Sequence, residues 1–520
     1  MHLYYARIMQ AILFHRDPGI LPAYYYIKHL LPPYSLYYYL LLFFGKFVPL
    51  ITADKIIVCL YVALFVSGFR FLARSTGPAY TVMALLSTTL ILNWPLGMGF
   101  VNFCLSTSIS LWAIGLWCRA VEAPGETGRT VPLIGFVVLS WAVMMTHPVP
   151  LLGLLGFCWV ELCVRLLRRG KTSANDAGNP KVENRWFRFM LREVVALIAA
   201  SATLLYVRSF TQRDVIKQVV VDTKTKFTPA ASIKLLGLGT LVPFQGKGPI
   251  ELFYRGCLLL VLIFALVVGV KAILRSLHAR AWTLGNTWTV LSILLAVAVP
   301  LLPPELNNSH LFSARLVIFI WIAALAGASG SRVVSLNPVY LRWAMVFVIF
   351  FAAFALTLAI RRINPVARDI ARSEQAPAGG ASVELLVQSA DYIFPANLTY
   401  DPYYWSGTRI LRHEGSVMYN IPWLHLQIIP IGAMPDIPTD KLDTLSMENP
   451  WILRDTLHRS PAARTLVFSK IDRILINHGL APSMNSQDPI FAEDPNPADH
   501  WHCHETLTYS DCTDKAAPAP

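Results

Sequence analysis

Long apolar runs in the first 362 residues constrain this chain more than any other feature of its sequence. There are about ten of them, the first centred on residues 34–51 and the last on 342–360. At a rise of about 1.5 Å per residue, a helix needs roughly 20 apolar residues to cross a hydrocarbon core about 30 Å thick. Because several runs are shorter than this, we expect one or two helices to be broken or re-entrant, with their backbone polar groups covered by protein or water.

Charged residues divide the chain into two parts of opposite sign. Residues 1–362 carry a net charge of +21 and residues 363–520 carry −8, in a chain of 520 residues that is 55% hydrophobic and 14% charged. About a quarter of the residues are charged in an average soluble domain, so a soluble globular protein is excluded. We predict an α-helical polytopic membrane protein of about 10 helices with a small C-terminal mixed α/β soluble domain. The positive charge belongs to membrane loops and does not indicate nucleic acid as a partner.

The predicted domain boundaries follow these changes in composition. Residues 1–33 are expected to form amphipathic interfacial helices, and residues 34–362 the transmembrane domain. Residues 363–485 contain short alternating apolar runs between Pro- and Asp-rich turns, which predicts the α/β domain. The Pro-rich residues 486–520 predict a poorly ordered tail.

Lys and Arg concentrate in alternate loops, and this bias predicts the orientation. The loop 165–188 holds seven of them and is the strongest cytoplasmic candidate. Counting the apolar runs forward from this loop places residues 363–520 outside the cytoplasm, as the C-terminal domain of an integral inner-membrane protein. Counting backward places residues 1–33 inside, which conflicts with their tyrosine-rich amphipathic pattern, because such a segment normally follows a first membrane helix.

Two of the eight cysteines lie in the tail, and the other six lie in apolar segments where we expect them to pack between helices. In an oxidising compartment Cys503 and Cys512 are expected to form a disulfide. The alternative is a transition-metal site in which Cys503 joins His500, His502 and His504, since thiolate and imidazole are metal ligands.

Several short motifs surround the start of the first apolar run. His2 and Arg7 belong to a His-Leu-x-x-Ala-Arg pattern, Tyr24 and Tyr25 to a Pro-x-Tyr-Tyr pattern, and residues 31–37 to a Leu-Pro-Pro-x-x-x-Leu-Tyr pattern. An interfacial stretch with aromatic anchors is the structural explanation. The combination also resembles the first outer loop and following helix of GT-C-type membrane glycosyltransferases, which use polyprenyl-phosphate-linked sugars.

The resemblance implies a catalytic acid that the motifs themselves do not contain. In GT-C enzymes a first membrane helix leads into an outer loop whose acidic residue is the catalytic base or a metal ligand. That acid is expected upstream of Met1, so the catalytic residue is unknown, and a divalent metal ion is the cofactor that the resemblance allows. The resemblance also places residues 1–33 outside the cytoplasm, in which case one helix counted within 34–130 is not a crossing.

A second match to this superfamily lies between two late apolar runs. Residues 303–315 form a short polar connection that contains His310 and ends at Arg315, where an apolar run begins. In GT-C enzymes an Arg at the start of a late helix holds the lipid-phosphate leaving group, and the resemblance implies this role for Arg315, with His310 as a helper. A guanidinium fork suits phosphate. The structural alternative is an interfacial Arg that snorkels to the headgroups.

The predicted substrate-binding residues are therefore His2, Arg7, Tyr24, Tyr25, His310 and Arg315, and we predict no metal ligand. Three other features have structural explanations that we favour. Residues 93–103 and 146–148 resemble breaks that recur in uncharacterised members of the superfamily and could line a cavity, but glycine packing and a proline kink account for them. Glu161 and Arg165 form an i,i+4 pair that is expected to neutralise a charge at the cytoplasmic end.

The sequence thus favours a membrane glycosyltransferase, inverting and of GT-C type as the resemblance implies. It would transfer a sugar from a polyprenyl-phosphate donor at the outer face of the inner membrane, with the lipid bilayer and the donor as partners. The alternative is a non-catalytic polytopic protein, either a degenerate relative or an assembly partner. A transporter is the third choice, because transporters need ionisable groups at mid-membrane depth and residues 1–362 hold only 12 carboxylates, mostly in loops.

Overall fold

The computed structural model describes most of the helical part of the chain and five strands of its tail. The described residues are 6, 9–10, 12–14, 33–91, 93–97, 100–123, 126–176, 180–210, 249–278, 282–299, 312–330, several positions between 343 and 361, 383–393, 416–417, 473–479, 501–505 and 509–514. Eleven α-helices lie within these ranges, with one 3-10 turn, Thr88–Leu90, after α3. They are α1 (Ser35–Phe44), α2 (Leu50–Thr76), α3 (Tyr80–Ser87), α4 (Trp94–Gly97), α5 (Val101–Glu122), α6 (Glu126–Thr146), α7 (Pro148–Asp176), α8 (Pro180–Phe210), α9 (Pro249–His278), α10 (Leu284–Ala298) and α11 (Phe312–Ser329).

Five of the described helices are long and apolar enough to cross a membrane. These segments are Leu50–Thr76, Val101–Glu122, Gly128–Thr146, Pro148–Leu167 and Leu259–His278. Four shorter apolar helices accompany them, namely α1, α3 with its 3-10 turn, α10 and α11. Large apolar side chains such as Leu205 and Leu260 are exposed on the helix surfaces, as expected where lipid rather than water surrounds the protein. The predicted polytopic helical fold is confirmed, and the chain is an integral membrane protein.

Contacts between helices define two ends of the helical bundle. At one end α2 and α11 both terminate, and the hydroxyl groups of Thr76 and Ser329 contact each other. Arg74 and Arg119 lie in the last turns of α2 and α5, so we call this the basic end. At the other end α11 begins beside the turn between α6 and α7, and we call this the site end.

The first apolar run does not form a crossing helix. α1 has 10 residues, which is about 15 Å of helix and half the thickness of the hydrocarbon core. Tyr34, directly before α1, contacts His147 at the site end, and α2 runs for 27 residues from Leu50 to the basic end at Thr76. The crossing expected at residues 34–51 is therefore replaced by a short helix.

Helices α5 to α8 are joined near the basic end by a buried cluster of four charges. The Glu193 carboxylate pairs with Arg129 Nη1 at 3.2 Å and with Arg165 Nη2 at 2.8 Å. Arg165 also pairs with Glu161, which accepts a hydrogen bond of 3.1 Å from the Trp117 indole. Glu161 and Glu193 are 2% and 1% exposed. The expected Glu161–Arg165 pair is thus one part of a network across four helices rather than a local neutralised charge.

The described strands of the tail form one mixed sheet in the order β2-β1-β3-β5-β4. They are β1 (Val383–Ile393), β2 (Ser416–Val417), β3 (Arg473–Gly479), β4 (Trp501–Glu505) and β5 (Tyr509–Asp514). β1 pairs in parallel with β2 and β3, and the other pairs are antiparallel. The β4–β5 hairpin lies within residues 486–520, for which the sequence predicted poor order.

Cys503 and Cys512 lie opposite each other in the β4–β5 hairpin and form a disulfide. This confirms the pairing expected from the sequence. A disulfide has no thiolate to offer, so the alternative metal site loses its sulfur ligand. His504 is exposed on the same strand.

Candidate functional site

Arg315 is the predicted substrate-binding residue that lies within the described part of the chain. It is in the first turn of α11, at the site end. The other five predicted residues, His2, Arg7, Tyr24, Tyr25 and His310, lie outside the described residues. Arg315 is only 7% exposed, which does not fit the structural alternative of an arginine snorkelling at the protein surface.

His147 is the single residue between α6 and α7. Pro148 stops α6, because it has no amide hydrogen and disfavours the helical conformation of the residue before it. The Ser106 hydroxyl of α5 lies 3.0 Å from the Val143 carbonyl oxygen, which also accepts from the His147 amide, and 2.9 Å from the carbonyl oxygen of His147. The α5 side chain thus holds the backbone at the end of α6. The Val149 amide donates to His147 Nδ1 at 3.2 Å. Both the backbone and the ring of His147 are therefore held in place.

A polar break between α3 and α5 brings Phe100 to the same end. Asn93 Oδ1 accepts a hydrogen bond of 2.9 Å from the Leu96 amide and so caps α4, while Asn93 Nδ2 donates to the Leu90 carbonyl oxygen at 3.0 Å. These bonds satisfy a backbone amide and a backbone carbonyl that a broken helix leaves without partners and that lipid cannot satisfy. The expected broken helix is present, and its last residue before α5 is Phe100.

Arg315 meets His147 and Phe100 across three separate parts of the chain. Arg315 Nη1 lies 3.2 Å from His147 Nε2, although 168 positions separate the two residues in sequence. The guanidinium carbon lies 4.1 Å from the centre of the Phe100 ring, a cation–π contact that is worth about 2 kcal/mol when desolvated. The His147 ring also meets the edge of Phe103, with ring centres 5.4 Å apart. A buried positive charge is thus fixed between an aromatic face and an imidazole.

The hydrogen bond at His147 Nδ1 leaves two N–H donors facing each other at Nε2. A neutral imidazole has one N–H and accepts at one nitrogen only, whereas a guanidinium only donates. With the Val149 amide bound at Nδ1, the ring proton lies on Nε2. That N–H and the Arg315 Nη1 N–H then meet at a nitrogen separation of 3.2 Å. A single acceptor oxygen placed beside both nitrogens would satisfy both donors, and an anionic oxygen would do so best.

Tyr34 and Ser35 complete the site at the start of α1. The Tyr34 ring meets the His147 ring edge-on, with centres 4.8 Å apart. Its backbone φ is +75°, a left-handed conformation that costs a residue other than glycine about 1–3 kcal/mol and persists where the surrounding structure enforces it. Burial raises the pKa of Tyr34, while the charge of Arg315 opposes the rise, so the phenol keeps its proton at neutral pH. The buried Ser35 hydroxyl has no hydrogen-bond partner within the described residues.

The described residues favour anion binding over metal binding. Within these ranges no group of three His, Cys, Asp or Glu side chains is placed to hold a metal ion. The groups that meet here are a guanidinium, an imidazole N–H and the Tyr34 phenol, all of which donate hydrogen bonds. Such an arrangement binds an oxyanion and stabilises negative charge that develops on it.

The sequence singled out Arg315 as a candidate but not the residues that surround it in the structure. His147 and Phe100 belong to the two motifs that we attributed to kinks and packing, and nothing in their local sequence separates that explanation from a site. Their connection to Arg315 depends on how α5, α6 and α11 pack. The Tyr34 conformation is also invisible in the sequence, because a positive φ is unusual for any residue other than glycine.

The fold and the site together define a polytopic helical membrane protein with a buried cationic site at one end of its helices. No protein-family model matches the chain, and no curated protein matches its sequence. The fold is similar to that of ArnT from Cupriavidus metallidurans, whose crystal structure contains bound undecaprenyl phosphate. The TM-score is 0.50 and the identity 11%, over 100% of this chain and 94% of that chain. At this identity the similarity establishes a shared fold.

Proposed function

We propose that this protein is a GT-C-type membrane glycosyltransferase, and that the site around Arg315 holds the phosphate of its polyprenyl-phosphate-linked sugar donor. The observation that carries the proposal is the buried Arg315 side chain, 7% exposed, with its Nη1 3.2 Å from His147 Nε2. Two converging donors at a buried position are an arrangement that suits an anionic oxygen. The N-terminal motifs and the fold similarity to a protein that binds undecaprenyl phosphate point the same way.

In the proposed reaction the bond between the sugar and the donor phosphate breaks, and an acceptor hydroxyl forms the new bond to the sugar. Negative charge then grows on the departing phosphate. Arg315 and His147 would stabilise that charge with fixed donors, in a site that excludes water and therefore strengthens each interaction. The Phe100 face would keep the guanidinium plane in one orientation.

The position of the site fits catalysis on a lipid-linked donor at the outer face of the inner membrane. The site lies at the end of the bundle opposite Arg74 and Arg119, and Lys and Arg residues mark the cytoplasmic side of membrane proteins. A polyprenyl chain could then remain in lipid while its phosphate enters at the site end. The C-terminal domain would lie on the same outer side, where its Cys503–Cys512 disulfide is stable.

The proposal is tested with purified protein in nanodiscs. Undecaprenyl phosphate should bind to the unchanged protein, and Arg315→Ala should lower that affinity and cut sugar transfer by about 10²–10³-fold, the cost of losing one donor to a developing oxyanion. Arg315→Lys should restore little, since a point charge cannot replace a planar fork. Lys55→Ala, which removes an exposed cation from the first turns of α2, is the matched control. Equal binding by Arg315→Ala and the unchanged protein would move the phosphate site elsewhere.

A further inference from the structure

A continuous stack of planar groups fills the groove between α2 and α5 near the basic end. The Phe71 ring stacks on the Trp112 indole, with ring centres 4.8 Å apart and planes 24° from parallel. The Arg119 guanidinium carbon lies 4.1 Å from the centre of the same Phe71 ring. The indole N–H donates to the Leu64 carbonyl oxygen at 3.1 Å. Phe71 is therefore held between a fixed indole and an arginine.

Glycines of both helices leave the space that the stacked rings occupy. A Cβ atom on Gly115 would lie 2.2 Å from Phe71 Cδ1, and one on Gly68 would lie 2.7 Å from Trp112 Cδ1. Each ring thus rests directly on the backbone of the neighbouring helix. The stack cannot be a chance contact between mobile surface side chains, because its two rings occupy space that only glycine leaves open.

Three arginines lie near Phe71, one in contact with its ring and two close to it along α2. Arg70, Arg74 and Arg119 are all exposed. Arg74 follows Phe71 by three positions in α2 and so lies on the same helix face, and Arg70 lies one turn before Arg74. Among the described residues none of the three forms an ion pair, and neither does Glu122, which follows Arg119 by one turn. Like charges grouped in this way repel one another unless an anion binds between them.

Arg119, which stacks on the Phe71 ring, is already ordered for binding such an anion. Stacking uses the face of the guanidinium and leaves the N–H donors in its plane available. A free surface arginine loses side-chain entropy when it binds, and an arginine already ordered by stacking loses less. Arg74 and Arg119 also lie in the last turns of helices long and apolar enough to cross the membrane, where phospholipid headgroups are expected.

We propose that the Phe71–Arg119 stack, with Arg70 and Arg74, is a binding site for the phosphate headgroup of an anionic phospholipid. This site is separate from the one around Arg315, which lies at the other end of the bundle. Its occupant is a membrane lipid because α2 and α5 are both long and apolar enough to cross a membrane, so acyl chains can lie along them beyond the headgroup. A bound lipid would neutralise the arginines and tie α2 to α5 at the basic end.

The test uses the purified full chain and native mass spectrometry with added cardiolipin or with phosphatidylcholine. Cardiolipin should bind more tightly than phosphatidylcholine, and each arginine removed should weaken cardiolipin binding by about fivefold. The variants are Arg119→Gln and Phe71→Leu, which remove the charge and its aromatic support separately. Arg275→Gln is the matched control, because Arg275 is also an exposed arginine in the last turn of a membrane helix, α9.

The proposal predicts weaker cardiolipin binding by Arg119→Gln and by Phe71→Leu, with little change in Arg275→Gln. An equal loss in Arg119→Gln and Arg275→Gln would overturn it, since the binding would then follow net charge alone. Unchanged binding by Phe71→Leu would also overturn it, because the stack would then make no contribution. Sugar transfer and undecaprenyl phosphate binding should stay unchanged in all three variants, which separates this site from the one around Arg315.

Discussion

Burial of a guanidinium is expensive, because desolvation of a charge costs several kcal/mol. Arg315 recovers part of this cost from the Phe100 ring at 4.1 Å. His147 is not an acceptor for Arg315, because the proton position set by the Val149 amide makes Nε2 a second donor. In the proposed site the two residues therefore act together as donors to one anion. This dependence makes His147 a better test of the site than a second arginine variant.

We expect His147→Leu to weaken undecaprenyl phosphate binding by about 10–100-fold, the loss that follows when a hydrogen bond to a charged group is removed. His147→Gln should keep more affinity, because its amide retains an N–H donor of similar reach. The measurement is titration of undecaprenyl phosphate in nanodiscs. His278→Leu, at the exposed end of α9, is the control. If His147→Leu binds as tightly as His278→Leu, His147 only positions the turn between α6 and α7.

At the scale of single residues, the sequence singles out candidate site residues only when their immediate neighbours along the chain mark them. Arg315 follows a polar connection and begins an apolar run, and this local context suffices to single it out. The same local context in Thr146-His147-Pro148 fits a plain proline kink equally well. His147 becomes a candidate only because it meets Arg315, which lies 168 positions away in sequence.

Individual helices are held in place by polar contacts that lipid cannot provide. The charge cluster of Glu161, Arg165, Glu193 and Arg129 links α6, α7 and α8 near the basic end. Removing one member leaves the others buried with an uncompensated charge, which is typically more destabilising than replacing the whole group. Glu193 is the member that holds two arginines at once.

Glu193→Gln should lower the free energy of unfolding by about 3–5 kcal/mol, because Arg129 and Arg165 would then share no buried carboxylate between them. The measurement is the thermal midpoint of the purified protein in detergent. Glu122→Gln removes an exposed carboxylate from the end of α5 and should leave the midpoint nearly unchanged. A midpoint for Glu193→Gln equal to that of Glu122→Gln would mean that water already compensates the cluster.

Element lengths explain where sequence prediction of the helices succeeded and where it did not. Apolar runs such as Val101–Glu122 became single long helices. The first run failed as a crossing because Pro32 and Pro33 delay its start and the chain leaves helical geometry at Gly45, so 10 helical residues remain. The charge cluster was predicted only as its local i,i+4 pair, since Glu193 reaches it from another helix.

For the whole molecule, the short α1 changes the count of membrane crossings. The sequence alone left residues 1–33 on the cytoplasmic side by loop charge and on the outer side by their resemblance to an outer loop. Without a crossing at residues 34–51, the loop charges also predict the outer side for residues 1–33, as the resemblance does. Both then predict the same orientation, with the basic end in the cytoplasm.

This orientation predicts opposite labelling outcomes for positions on the two sides of the membrane. A cysteine in place of Asp17 should react with a membrane-impermeant maleimide in intact cells, whereas one in place of Lys171 should react only after the cells are opened. A reporter active only outside the cytoplasm should likewise give signal when fused after Pro365 and none when fused after Gly170. The unsubstituted chain serves as the labelling control, since it carries the eight native cysteines. Labelling of Lys171→Cys but not of Asp17→Cys would invert the protein and place Arg315 at the cytoplasmic face, where the proposed outer-face transfer could not occur.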